Sequence, residues 1–150
     1  VRAGELEQTG DIDGAIAIYE EMYAANSNSV TIANNLASLI ATHRDDAASL
    51  DRAANIAKRL RELDVPPFQD TYGWIAYRQG NYAEAKTYLE PAAAALSDDA
   101  LVQYHLGMTL AALDDGDGAR EVLTRALTLA GDSDLPQFDI ARTTLQELGE

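Results

Sequence analysis

The side chains of this sequence with the means to do acid–base or metal chemistry are two histidines, His43 and His105, and twenty-five carboxylates; there is no cysteine. The histidines lie far apart and no His-Glu-x-x-His pair occurs, so the ligand spacing of a zinc site is missing. His43 falls at a predicted helix C-terminus, where positive charge complements the helix dipole. His105 adjoins Leu106 on a core-forming helix, and both histidines read as structural. There is no Gly-x-Ser-x-Gly elbow and no glycine-rich phosphate loop. Four acidic clusters, Asp11/Asp13, Asp98/Asp99, Asp114/Asp115/Asp117 and Asp132/Asp134, invite comparison with calcium loops. An EF-hand needs a third oxygen ligand, a central glycine and a terminal glutamate at fixed offsets, and none of the four supplies them. They sit at helix starts, where a carboxylate caps free backbone N–H groups. The expectation is a non-enzymatic chain with no catalytic residues, no metal site and no cofactor.

The bulk properties narrow the partners. The formal net charge is -14, which repels nucleic acid and anionic membrane surfaces. Hydrophobic residues make up 47% of 150, enough for a globular core. No apolar run reaches the length of a membrane span, so no direct membrane insertion is expected, and no signal peptide is visible. The first residue is Val1, which reads as a fragment of a longer chain whose targeting signal lies out of view. Two lysines against nine arginines, with many alanines, fit a GC-rich bacterial source. The compartment stays open between bacterial cytoplasm and periplasm or cell envelope.

The elements that must carry any site are helices. Apolar spacing and caps predict them over about 1–9, 12–25, 30–43, 48–63, 67–79, 82–96, 99–113 and up to 130, with a ninth starting at Asp134 and Pro136. Pro91 lies inside the sixth and predicts a bend or break there. The ninth places Phe138, Ala141, Leu145 and Leu148 on one face and polar residues on the other, as a terminal cap on a helical stack requires. A shift of 34 residues carries Gly73 to Gly107, Ala85 to Ala119, Leu89 to Leu123 and Ala92 to Ala126, the mark of a stacked repeat.

This pattern resembles the tetratricopeptide repeat (TPR) family, in which each unit is a helix A followed by a helix B. Leu106-Gly107 matches the helix A motif, and Tyr72-Gly73 and Leu36-Ala37 match its character. Ala15-x3-Tyr19 matches the helix B motif, with Ala53-x3-Ala57, Ala85-x3-Leu89 and Ala119-x3-Leu123 as aliphatic versions. The resemblance implies an all-α fold of one domain: a right-handed superhelical stack of antiparallel helix pairs. It would comprise a truncated first repeat (1–29), repeats at 30–65, 66–99 and 100–131, and a capping helix (132–150). Short motifs such as Asn34-Asn35-Leu36-Ala37 and Tyr104-His105-Leu106-Gly107 are also similar to bacterial cell-envelope TPR proteins, among them lipoproteins tied to exopolysaccharide and surface-protein export.

The resemblance places the A helices along a concave groove. With Ala37, Gly73 and Gly107 as fiducials, the exposed faces read Asn34, Ser38, Ala41 and Thr42; then Asp70, Trp74, Tyr77 and Arg78; then Tyr104, Met108, Ala111 and Ala112. Tryptophan, tyrosine and arginine often dominate binding energy. The expected site is therefore a groove of Asn34, Ser38, Asp70, Trp74, Tyr77, Arg78, Tyr104 and Met108 that binds a peptide or partner helix. The competing expectation for Trp74 is packing between repeats. Other readings of the chain are a spacer or self-association segment, with homo-oligomers formed through the open N-terminal edge, or a substrate-recruiting part of an enzyme whose catalytic domain lies elsewhere.

Overall fold

The computed structural model describes residues 2–149. Among them lie nine α-helices: α1 (Arg2–Thr9), α2 (Ile12–Ala25), α3 (Val30–His43), α4 (Ala47–Ala57), α5 (Pro66–Arg78), α6 (Tyr82–Ala95), α7 (Ala100–Ala112), α8 (Gly116–Ala130) and α9 (Pro136–Leu148). None is long and apolar enough to cross a membrane. The chain divides into two compact units after Leu63. In the first, α1 packs on α2, α2 on α3 and α3 on α4. In the second, α5 pairs with α6 and α7 with α8, α7 also packs on α5 and α6, and α9 packs on both α7 and α8.

Carboxylates and hydroxyls set most helix starts. Asp11 accepts from the Gly14 N–H, Ser29 from Ile32, Asp46 from Ser49, Asp99 from Leu101 and Val102, and Asp115 from Gly118, each satisfying a donor that the first turn leaves open. The pair Asp132/Asp134 does not cap; α9 starts after Leu135 with Pro136 in its first turn. Gly80 closes the α5–α6 turn at φ +84, and Asp114, one repeat on, takes the same left-handed conformation at φ 62. Aspartate is one of the few non-glycine residues that visit this region readily.

Two expectations need correction. The fourth helix ends at Ala57 and runs on as a 3₁₀ turn, Lys58–Leu60, with Leu60 buried. The helix does not break at Pro91: α6 continues from Tyr82 to Ala95 around it. Pro91 and Thr87 are both exposed residues, and a missing amide donor costs least where water can reach the carbonyl it leaves.

Glycine and leucine interlock the pairs of the second unit. A Cβ on Gly73 would stand 2.7 Å from Leu89 Cγ, and one on Gly107 would stand 2.5 Å from Leu123 Cδ2. Leu89 and Leu123 are fully buried. In the first unit the equivalent residues are Ala37 and Ala57, so the extra methyl on one helix goes with the smaller side chain on the other.

A buried amide ties three helices together. Gln103 on α7 is fully buried. Its Nε2 donates to the carbonyls of Ala93 (3.0 Å) and Leu96 (3.2 Å) at the end of α6, and its Oε1 accepts from Arg125 Nη1 of α8 at 3.2 Å. The sequence repeats this glutamine at Gln69, Gln103 and Gln137 with the 34-residue period.

Candidate functional site: an aromatic ladder on three helices

The second unit's site residues come from α5 and α7, which lie side by side. One helical turn separates Asp70, Trp74 and Tyr77-Arg78 on α5, and another separates Tyr104 from Met108 on α7, so each set projects from one face. Five rings join into a ladder. Tyr82 meets Tyr77 with centroids 5.3 Å apart. Tyr77 stacks on Trp74 at 4.5 Å and 7°. The indole stacks on His105 at 4.1 Å and 20°, and Tyr104 leans on both Trp74 and His105 at 5.7 and 5.8 Å. Two rings parallel to one indole at such short range cannot share a face of it, so Tyr77 and His105 take opposite faces.

The last ring is held in plane by a charge. His105 Nδ1 lies 2.7 Å from Asp70 Oδ1. A carboxylate only accepts, so the proton sits on Nδ1 and the contact is an N–H donation from α7 to α5. Asp70 and His105 are one repeat plus one residue apart. That spacing was the available sequence signal for the pair, and reading His105 alone missed it.

The exposed patch expected from the sequence takes a different form. Trp74 is 7% exposed and Tyr104 3%; they form the floor of the face, each covered by neighbouring rings. Ala41 is buried too. Asp70, Tyr77, Arg78 and Met108 remain partly exposed. Met108 also receives the Thr144 hydroxyl of α9 at 3.6 Å from its sulfur, so α9 borders the face. Asn34 and Ser38 lie on α3 in the first unit. There Asn34 Nδ2 makes a long contact to Asn35 Oδ1 at 3.5 Å, and its own Oδ1 is buried with no hydrogen-bond partner among the described residues. No group of three or more His, Asp or Glu side chains converges as metal ligands would among the described residues.

Burial pushes the Tyr104 phenol up to about 12, with Tyr77 adding to the shift and Arg78 opposing it. Burial also raises Tyr77, helped by Tyr82 and opposed by Arg78. A folded-state value above the unfolded one means that the folded state keeps the proton longer, so its stability falls as pH rises from about 10 to 12. The loss for Tyr104 is about 2–3 kcal/mol. Urea denaturation at pH 9 and pH 12 should show a slope of this size in the wild type, and Tyr104→Phe should remove most of it.

The repeats of the second unit match a known family. The model of the tetratricopeptide repeat family matches residues 73–134, the span in which Gly73/Leu89 and Gly107/Leu123 interlock. Residues 73–134 are tetratricopeptide repeats. Solved TPR structures match nearly the whole chain. TTC0263, a thermophilic TPR protein of Thermus thermophilus, has 17% identity and a TM-score of 0.69 over 96% of this chain and 78% of its own. MamA has 18% identity and a TM-score of 0.63 over 98% and 82%. YrrB, described as a TPR protein with an unusual peptide-binding site, has 17% identity and a TM-score of 0.60 over 97% and 78%. At these identities the likeness is one of fold. No curated protein sequence matches the chain.

Proposed function

We propose that the TPR chain is a non-enzymatic protein-interaction module whose second unit binds an extended peptide or partner helix across α5 and α7. The observation that carries this reading is the ring ladder. Tyr77, stacked on the buried Trp74, and Met108 on α7 are partly exposed, and Tyr104 is buried beside Trp74. An apolar strip of this kind suits a peptide that inserts an apolar side chain. The pre-stacked floor lowers the ordering cost of binding. The peptide-binding site ascribed to YrrB makes the same use of the fold plausible here.

Selection of displayed peptides on the immobilised chain, followed by fluorescence anisotropy of the enriched sequences, tests the proposal. Tyr77→Ser and Met108→Ser should each weaken binding about tenfold or more, as expected for loss of a buried apolar contact, with the helical circular dichroism unchanged. If no peptide enriches, or if the enriched peptides ignore both substitutions, the face is not a binding site.

A further inference from the structure

The ring ladder ends at a cleft. Tyr82, its outermost ring, starts α6 and forms one wall together with Gly80, Asn81 and Glu84. Leu113, at the end of α7, forms the other. The space between these two turns is about 570 Å³. Both apolar side chains are presented to solvent, Tyr82 at 36% exposure and Leu113 at 38%. The repeat does not call for the leucine: at the 34-residue period its place is taken by Gln79 before it and Glu147 after it. Nor does a ring continue the row, because one period after Tyr82 stands Gly116. Two exposed apolar side chains facing a gap form a place where a bulky apolar group gains by leaving water. Asn81 lines the cleft as well, and it makes no side-chain bond to the helix it precedes.

The charge of the walls has one sign. Residues 79–84 and 113–117 carry Glu84, Asp114, Asp115 and Asp117 and no lysine or arginine. Of the flanking cations, Arg78 acts on Tyr77 and Tyr104 of the ladder, and Arg120 is engaged by Asp117 and the Leu148 carbonyl. The complementary ligand is therefore apolar and basic. We propose that the cleft is a specificity subsite for the peptide bound across α5 and α7. It takes a bulky apolar side chain between Tyr82 and Leu113, followed directly by lysine or arginine that meets Glu84 and Asp114. This rests on the reading of the ladder as a peptide-binding face and adds to it the sequence that is chosen. A second copy of the chain is a poor occupant: in its most basic run, Lys58, Arg59 and Arg61 surround a Leu60 that is 1% exposed.

The probe is acetyl-Phe-Lys-Lys-amide, titrated into the intact chain and followed by nuclear magnetic resonance. Saturable shifts are expected at the amides of Gly80 and Asn81 and at the Leu113 methyls. Leu113→Gln, which copies Gln79, should weaken binding about tenfold, as for loss of a buried apolar contact, with the circular dichroism unchanged. Raising the salt from about 0.05 to 0.5 M should weaken it too. Acetyl-Ser-Lys-Lys-amide and acetyl-Phe-Glu-Glu-amide should each bind at least about tenfold more weakly; these two comparisons hold whether or not Leu113→Gln folds. Absence of saturable shifts overturns the proposal, as does an equal response to either control peptide. Shifts of the same signals with protein concentration alone, abolished by Leu113→Gln, would assign the cleft to a second copy and likewise overturn it. The tripeptide tests the cleft, whereas the selected peptides with Tyr77→Ser and Met108→Ser test the ladder, so a failure of one is told apart from a failure of the other.

Discussion

Trp74→Ala should lower the stability of the second unit by about 3–5 kcal/mol, the usual range for removing a buried indole. The residue is 7% exposed and is stacked on both faces, by Tyr77 and by His105. Its loss leaves a cavity between α5 and α7 and takes away the surface against which the Asp70–His105 pair is oriented. Urea denaturation followed by far-ultraviolet circular dichroism gives the measurement. A loss below about 1 kcal/mol, the size of an ordinary surface change, would show that the ladder is not packed as described. The same substitution is therefore a poor probe of binding, because lost affinity could not be separated from lost structure. Tyr77 and Met108, at the rim, are the better probes.

The second large effect is at the α7–α8 contact. Leu123→Ala removes a fully buried side chain and is expected to cost about 2–5 kcal/mol. Gly107→Ala by itself forces a Cβ to within 2.5 Å of Leu123 Cδ2 and 3.3 Å of its backbone nitrogen. Overpacking of about 1–3 kcal/mol outweighs the gain of about 1 kcal/mol from replacing a helical glycine. Together the two should compensate. The alanine methyl enters the space that the leucine leaves, and the double variant should be more stable than Leu123→Ala by about 1–2 kcal/mol. The first unit already carries this combination, Ala37 with Ala57. Strict additivity of the two single losses in denaturation experiments would refute the interlocking.

How far the sequence could be read depended on which neighbour a residue meets. Contacts within a helix pair repeat with the period, so Gly73 and Gly107 marked where helix A approaches helix B, and the structure supplies Leu89 and Leu123 as the side chains they meet. The start of α2 followed from Asp11, because a carboxylate cap is local chemistry. The contact of α5 with α7 was less accessible. Periodicity put Trp74 and Tyr104 on the correct face, but whether that face stays open depends on the size of what stands next to it. Tyr77 three residues on and His105 across the gap close over the indole, and no spacing rule gives that. At Pro91 the helix continues rather than breaking, and both Pro91 and Thr87 are exposed residues. Asp132 and Asp134 were acidic and well placed to cap, yet α9 begins after Leu135, where Pro136 has no N–H to cap in any case.

Trp74 is the chain's single tryptophan, and it lies in the second unit. Indole fluorescence therefore reports on α5 through α9 alone, whereas helical circular dichroism sums over both units. A melt followed by both signals measures how tightly the two halves are coupled in unfolding. Coincident curves mean one cooperative transition, and separated curves mean that one half can come undone while the other holds. The packing that removes Trp74 from the surface thus makes it a built-in gauge of inter-unit cooperativity.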